Sequence, residues 1–408
     1  MDDLANDAPT RTTNASDAAA LVTLGSSVQA LLPLIRDEAA EGEVSRQLTP
    51  RVVAALEQSG VLSVLSPKAV GGAELDVATL LNLGVSIGRA DTSTAWIAMF
   101  YGLHSWLAAL FPAEAQAALF GTAAHVMAPA TFSPTGRAAL AAEGHYMLSG
   151  RWQWGTGVQH ATWAMVAALV RSDPSSPPTD LRLFALPIHE VTVEDTWFTS
   201  GMCATGSNDL VIVEAEVPAV RSVSFTELLD GTAPGTSLHQ ASLYRWPLAA
   251  ILSLGACAPA LGTALGVLDG FEERVQTRRL AYIGTLDRDR GATRARVANG
   301  RVRLEAASLL LTNTAAGMDR RLAAGEVPSL EHRAHARMVA AEVVRVSRDV
   351  VADIGAASGA SAQMRVDPLQ RAMRDLATLS GHVVFDHDAT AELYGTIALG
   401  QDPPLALL

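Results

Sequence analysis

From residue 18 to residue 121 apolar positions recur every three to four residues, the spacing of one face of a helix. The stretch LVTLGSSVQALLPLIRDEA (21–39) predicts one amphipathic helix. Thr49-Pro50 predicts the start of a second. A threonine hydroxyl caps free N–H groups, proline suits the first turn, and Gly60 ends the pattern. Segments 77–90 and 92–111 are apolar almost all round, which predicts helices deep in a core. A short helix is expected from Pro112 to Gly121.

Between about 123 and 229 the period changes to two. HYMLSGRWQWGTG, ATWAMVAALV, LRLFALPI, VTVEDTWF and DLVIVEAEVP alternate and are rich in β-branched and aromatic residues, as strands are. Turn signals at 133–136, 173–178 and 206–209 separate them, so an antiparallel β domain is expected. Helical spacing then returns over 240–282, 288–325, 329–357 and 367–395, which predicts an up-and-down four-helix bundle. Glycine and serine at 355–361 break the third helix from the fourth. The expected fold class is α+β. It comprises a disordered lead-in (1–17), an N-terminal all-α domain (18–122), a central antiparallel β domain (123–236) and a C-terminal helical bundle (237–408).

Composition narrows this picture. The 408 residues are 49% hydrophobic and 18% charged, enough for a sizeable core and unlike a disordered chain. A net charge of −12 argues against nucleic acid or an anionic membrane as partner. The arginine run at 288–303 lacks interleaved aromatics and is expected to be a solvated or intersubunit face. Lys68 is the single lysine, so a phosphate site would use arginine and backbone N–H groups. Cys203 and Cys257 lie in no CxxC or Cys/His pattern, which leaves no disulfide framework and no zinc site in view. The acidic N-terminus lacks a signal-peptide pattern, and no apolar run reads as a membrane span, so a cytoplasmic location is expected.

Six pieces stand out in order: PKAVGGAELD (67–76), GRADTSTAW (88–96), ATFSPTGRA (130–138), LSGRWQWGTGVQHATW (148–163), GMCATGSND (201–209) and DPLQRAMRD (367–375). Together they resemble the acyl-CoA dehydrogenase superfamily, and within it the two-component flavin-dependent monooxygenases. The resemblance spans residues 25–395. It implies the three-part fold above and a homotetramer. It also implies use of reduced FMN or FAD delivered by a separate NAD(P)H-flavin reductase. No G-x-G-x-x-G follows a strand to suggest an intrinsic nicotinamide site. Dioxygen would react at flavin C4a in a dry pocket, giving a hydroperoxide that hydroxylates a phenolic or polyketide substrate.

The resemblance also assigns residues. Trp154 would pack on the flavin and the Thr156 hydroxyl would face N5. Many monooxygenase relatives have serine there and the dehydrogenases threonine, so Thr156 supports flavin without choosing the branch. The alternative is a tryptophan pair filling the β core. Thr131 would line the cofactor space and Ser133 would contact substrate, unless the segment is an ordinary Ser-Pro turn. His104 would accept a phenolic proton because its pKa lies near working pH, or else be a satisfied core residue. His160 would line the same pocket or lie on a strand surface. His382, on the last helix beyond Arg374-Asp375, would donate a hydrogen bond to the peroxide. The dehydrogenases commonly place their catalytic glutamate there, and neither 381–384 nor SLYRWPLAA (242–250) supplies one. Gly206 and Ser207 would offer backbone and hydroxyl groups to the cofactor, or form a plain loop. Arg279 faintly matches an arginine that reaches a neighbouring subunit's flavin diphosphate. Three rival readings stay open: N-oxygenation of a nucleotide-linked amino sugar, an acyl-CoA dehydrogenase with a displaced base, and a flavin-less scaffold.

Overall fold

A computed structural model describes residues 15–141, 144–172, 176–279 and 284–403. Most of the expected lead-in (1–14) and part of the 173–178 turn lie outside these residues. Residues 15–17, also assigned to the lead-in, open the first helix instead.

Five helices come first: α1 (Ala15–Ser45), α2 (Pro50–Ser59), α3 (Val77–Gly88), α4 (Thr92–Ala108) and α5 (Ala113–Phe120). Thr49 caps α2 by accepting from Val52 N–H, and Gly60 ends it in the left-handed region. Asp76 and Asp91 cap α3 and α4 in the same way, each accepting from the backbone N–H three residues on.

Seven strands follow: β1 (Ala130–Leu140), β2 (His145–Gly155), β3 (Trp163–Arg171), β4 (Asp180–Pro187), β5 (Thr192–Glu194), β6 (Asn208–Pro218) and β7 (Ser222–Ser224). They form one sheet in the order β5-β6-β2-β1-β3-β4-β7. The sheet is mostly antiparallel; β1 and β3 run parallel, which the alternation alone did not indicate. The expected turn at 133–136 does not separate strands. It is an irregularity inside β1, where the register against β3 slips between Thr131 and Gly136. A β-core packs on Trp152, which is fully buried and donates from Nε1 to the Ala167 carbonyl.

Short helices α6 (Phe225–Asp230) and α7 (Pro234–Leu238) lead into the bundle of α8 (Leu248–Thr277), α9 (Gly291–Ala323), α10 (Leu330–Ala357), α11 (Pro368–Leu379) and α12 (His387–Ala398). The fourth bundle segment, expected as one helix over 367–395, is broken. A 3-10 turn (Val383–Phe385) separates α11 from α12, and Asp386 caps α12 by accepting from Ala389 N–H.

Helix α8 also corrects the membrane reading. Among the described helices it is the one long and apolar enough to cross a bilayer, yet 78% of its most apolar window is buried inside the protein. Its small residues explain the burial. A Cβ on Gly262 would come within 2.2 Å of the Val85 carbonyl oxygen, so α8 meets α3 backbone against backbone. Gly262→Ala should therefore force the two helices apart and cost about 1–3 kcal/mol. A lower urea midpoint would register that cost; an unchanged midpoint would show that the helices separate freely.

Candidate functional site

Helix α4 supplies one wall of the site. Trp96, Phe100 and His104 follow one another at steps of four, so they share a face of the helix. Their rings form a ladder, with centroids 4.6 Å apart for Trp96–Phe100 and 5.3 Å for Phe100–His104. His382 adds a further rung, 5.7 Å from Trp96 and nearly edge-on. The structure thus brings together two histidines 278 positions apart in sequence (382 − 104) through two aromatic rings.

The two histidines have opposite polarity. His104 Nδ1 lies 2.6 Å from the Ala128 carbonyl, which can only accept, so the ring proton sits on Nδ1. Its Nε2 is left as a bare lone pair, buried and without a partner. Burial pushes the His104 pKa down to about 4, only partly offset by the Ala128 bond. This corrects the expectation of a pKa near working pH. The sequence shows an apolar helix but not that the imidazole is sealed inside the protein. At His382 the roles reverse. Nδ1 accepts from Val384 N–H at 3.3 Å, so the neutral ring carries its proton on Nε2. His382 is not on a helix as expected; it caps the 3-10 turn between α11 and α12. Protein atoms crowd the ring and lower its pKa, yet part of its surface is open to solvent.

Strand β2 supplies the second wall. Trp152 and Trp154 should share a face by alternation, but they do not. The β2–β6 register slips between Trp152 and Gly155, and Trp154 takes a left-handed φ of 68°. That conformation costs a non-glycine residue about 1–3 kcal/mol. It turns Trp154 outward, leaving the side of the residue open with 63% of its surface exposed. One of the pair therefore fills the β core and the other does not. Beyond it, Thr156 Oγ1 accepts from Trp96 Nε1 at 3.3 Å and lies 3.2 Å from Ser207 Oγ. Tyr101 of α4 donates to the Gly157 carbonyl at 2.6 Å and holds the turn.

The loop between β5 and β6 brings Gly206 and Ser207 to Thr156, and it is latched to α11. Met202 N–H donates to Asp375 Oδ1 at 2.6 Å, and Arg374 donates to the Ser200 carbonyl at 2.6 Å. Between these bonds a Cβ on Gly201 would sit 2.1 Å from the Arg374 carbonyl oxygen, so only glycine permits the approach. Arg374 also pairs with Glu43 of α1 at 2.6 Å.

The remaining sequence-assigned residues fall in different places. Thr131 is buried in β1 with an unpartnered hydroxyl, three residues beyond the carbonyl that holds His104. His160 follows the Gly157 turn, half-buried, with Nε2 buried and unpartnered. Ser133 lies on the exposed stretch of the β1 irregularity. Arg279 lies exposed just past α8 and donates to the Gly284 carbonyl of its own turn. Neither has a bond to the residues around Thr156. Trp96, Phe100, Thr205 and the latch at Asp375 carry the arrangement but were not singled out from the sequence. The step-of-four spacing on α4 would have found the first two.

A cavity of about 890 Å³ lies elsewhere, between α1, the α3–α4 junction, α8 and α11. Its walls are strongly charged, with Arg89, Asp91, Arg371 and Asp375 among them, and none of Trp154, Thr156, His104 or His382 lines it. The candidate site is placed by its orphaned buried polar atoms and its outward tryptophan rather than by cavity size. Those features fit a flat aromatic cofactor with one polar edge.

Known proteins resemble the chain along most of its length. A model of the acyl-CoA dehydrogenase C-terminal domain matches residues 254–387. The oxygenase subunit HsaA of a flavin-dependent monooxygenase from Rhodococcus jostii (strain RHA1) is 31% identical over 377 residues, covering 91% of this chain and 97% of that protein. The chain belongs to the flavin-dependent monooxygenase oxygenase subunits. The oxygenase is also 28% identical to the oxygenase component of an FADH2-dependent resorcinol hydroxylase from Rhizobium sp. (strain MTP-10005), over 94% of this chain and 95% of that one. The structure of XiaF from Streptomyces sp., in complex with FADH2 and glycerol, superposes with a TM-score of 0.90 at 27% identity, covering 96% and 99% of the two chains.

In this monooxygenase subunit Asp375 gives the latch a pH signature. Burial, reinforced by nearby Asp91, pushes its carboxyl up to about 7. Between the ordinary carboxylate value of about 4 and that folded value, the folded chain holds a proton that the unfolded chain has lost. Raising the pH through this window therefore lowers stability, while the lowered histidines act in the opposite direction. Asp375→Asn removes only the aspartate contribution. Its urea midpoint should change with pH more favourably than wild type between about pH 4 and 7. Parallel pH profiles for the two proteins would refute the assignment.

Proposed function

We propose that this chain is the oxygenase component that takes reduced flavin, FMNH2 or FADH2, from a separate NAD(P)H-flavin reductase. With dioxygen it hydroxylates a small phenolic or otherwise aromatic molecule. Bound reduced flavin supplies the electrons that activate dioxygen, so that one oxygen atom enters the substrate and the other leaves as water. The observation that carries this reading is the pair of neutral histidines with opposite polarity across one aromatic ladder.

His104 offers a bare Nε2 lone pair to the substrate hydroxyl. With Nδ1–H committed to Ala128, the ring cannot turn without losing that bond. It draws the phenolic proton and enriches the aromatic ring in electrons, and the developing phenolate supplies a countercharge to the imidazolium. His382 presents Nε2–H, a donor suited to an oxygen atom bearing negative charge. Trp154 offers a flat face to the flavin, Thr156 meets its N5 edge, and Gly206 with Ser207 supports that edge. Thr131 and His160 add buried polar atoms for substrate or cofactor. Apolar Val302, Leu309 and Leu310, exposed on α9, support assembly into a homotetramer, which light scattering would count as four chains per particle. A cytoplasmic location suits a partner reductase that draws on NAD(P)H.

The direct test mixes the anaerobic protein with reduced FMN or FAD and a panel of phenols, then adds ¹⁸O₂. One labelled oxygen atom in a hydroxylated product supports the reading; peroxide as the sole oxygen product with every phenol argues against it. His104→Ala should lower product formation by about 10²- to 10⁴-fold while reduced flavin still binds. Since folded His104 stays neutral down to about pH 4, hydroxylation should not decline as pH falls through 6.5, where a free histidine protonates. A decline there that disappears in His104→Gln would show that the ring titrates normally.

A further inference from the structure

The hydroxyls around Thr156 form a chain whose direction follows atom by atom. Trp96 Nε1 has a hydrogen and no lone pair to offer, so it donates to Thr156 Oγ1 at 3.3 Å. At the other end Thr205 Oγ1 lies 2.9 Å from the Met202 carbonyl, which can only accept, so the Thr205 proton is committed there. Ser207 Oγ, 2.8 Å from Thr205, must then donate to Thr205. With its single proton used, Ser207 accepts from Thr156 across 3.2 Å. Reversing any link would set two lone pairs against each other. Thr205 and Ser207 are 1% and 3% exposed, so bulk water does not compete, whereas Thr156 keeps accessible surface. Thr156 thus sends its proton inward, and its outward face is a lone pair.

We propose that Thr205 and Ser207 are positioning residues that make Thr156 an acceptor, so that the site prefers reduced to oxidised flavin. The inference rests on the reading that flavin N5 meets Thr156. Reduced flavin carries a hydrogen on N5, and oxidised flavin has only a lone pair there. An acceptor hydroxyl bonds the first and repels the second. The bias suits a protein that receives flavin reduced and must release it oxidised.

The test compares wild type with Thr205→Val, Thr205→Ser and Ser207→Ala. The readout is the ratio of Kd for oxidised flavin to Kd for reduced flavin, measured by fluorescence titration with FMN and FAD, anaerobically and without substrate. Thr205→Val frees the Ser207 proton to turn back, and Ser207→Ala frees the Thr156 proton to point outward. Each should lower the ratio about fivefold to tenfold, the worth of one hydrogen bond. Thr205→Ser keeps the hydroxyl and should keep the wild-type ratio. Ratios within twofold of wild type in both Thr205→Val and Ser207→Ala would overturn the proposal, as would an equal fall in Thr205→Ser. If Thr205→Val does not fold, Ser207→Ala reads the same chain from its neighbour. Wild type that binds neither form of flavin would overturn the flavin reading as well, an outcome distinct from unaltered ratios among variants that do bind.

Discussion

The Tyr101 hydroxyl, donating to the Gly157 carbonyl, ties the helical layer to the turn that follows β2. Tyr101 is buried, so leaving either group unpaired would cost about 1–3 kcal/mol. Helix α4 therefore cannot slide along β2 without losing it. Among the further polar contacts of the same helix are Trp96 with Thr156 and His104 with Ala128. Polar atoms of Trp96, Tyr101 and His104 on this one helix thus hold the segment after β2 and the approach to β1.

Helix α11 performs the matching task from the other side. Its Arg374 and Asp375 hold the loop that carries Ser207, and its C-terminal end leads to His382 through a single turn. Both the hydroxyl edge and the imidazole donor are thus referred to one short helix. Breaking the fourth bundle segment is what allows this. In a continuous helix the Val384 N–H would be spent on the Ser380 carbonyl four residues back and could not set the His382 tautomer.

Local signals in the sequence were legible where the physics is local. Thr49 and Gly60 punctuate a helix through bonds within a few residues, and alternation located β2 to β6 but neither β1 nor β7. Six motifs in order carried the family. What stayed hidden depends on partners distant in sequence. The β1 irregularity and the parallel β1–β3 pairing exist only in the sheet. The outward turn of Trp154 needs the slip against β6, and alternation by itself points the residue inward. The depressed pKa of His104 needs the layers that seal α4. Ser133 drew notice as a hydroxyl beside proline, while buried Thr131 two residues earlier holds the unpartnered oxygen.

Trp154 shows how such a protein can diversify. The direction in which its side chain leaves the strand is set by a backbone torsion and a strand register. Mutations among neighbouring side chains can therefore reshape what the site admits while the tryptophan keeps its outward course. A wall anchored in the main chain lets a lineage explore new small molecules one side chain at a time, with the reactive centre held constant throughout.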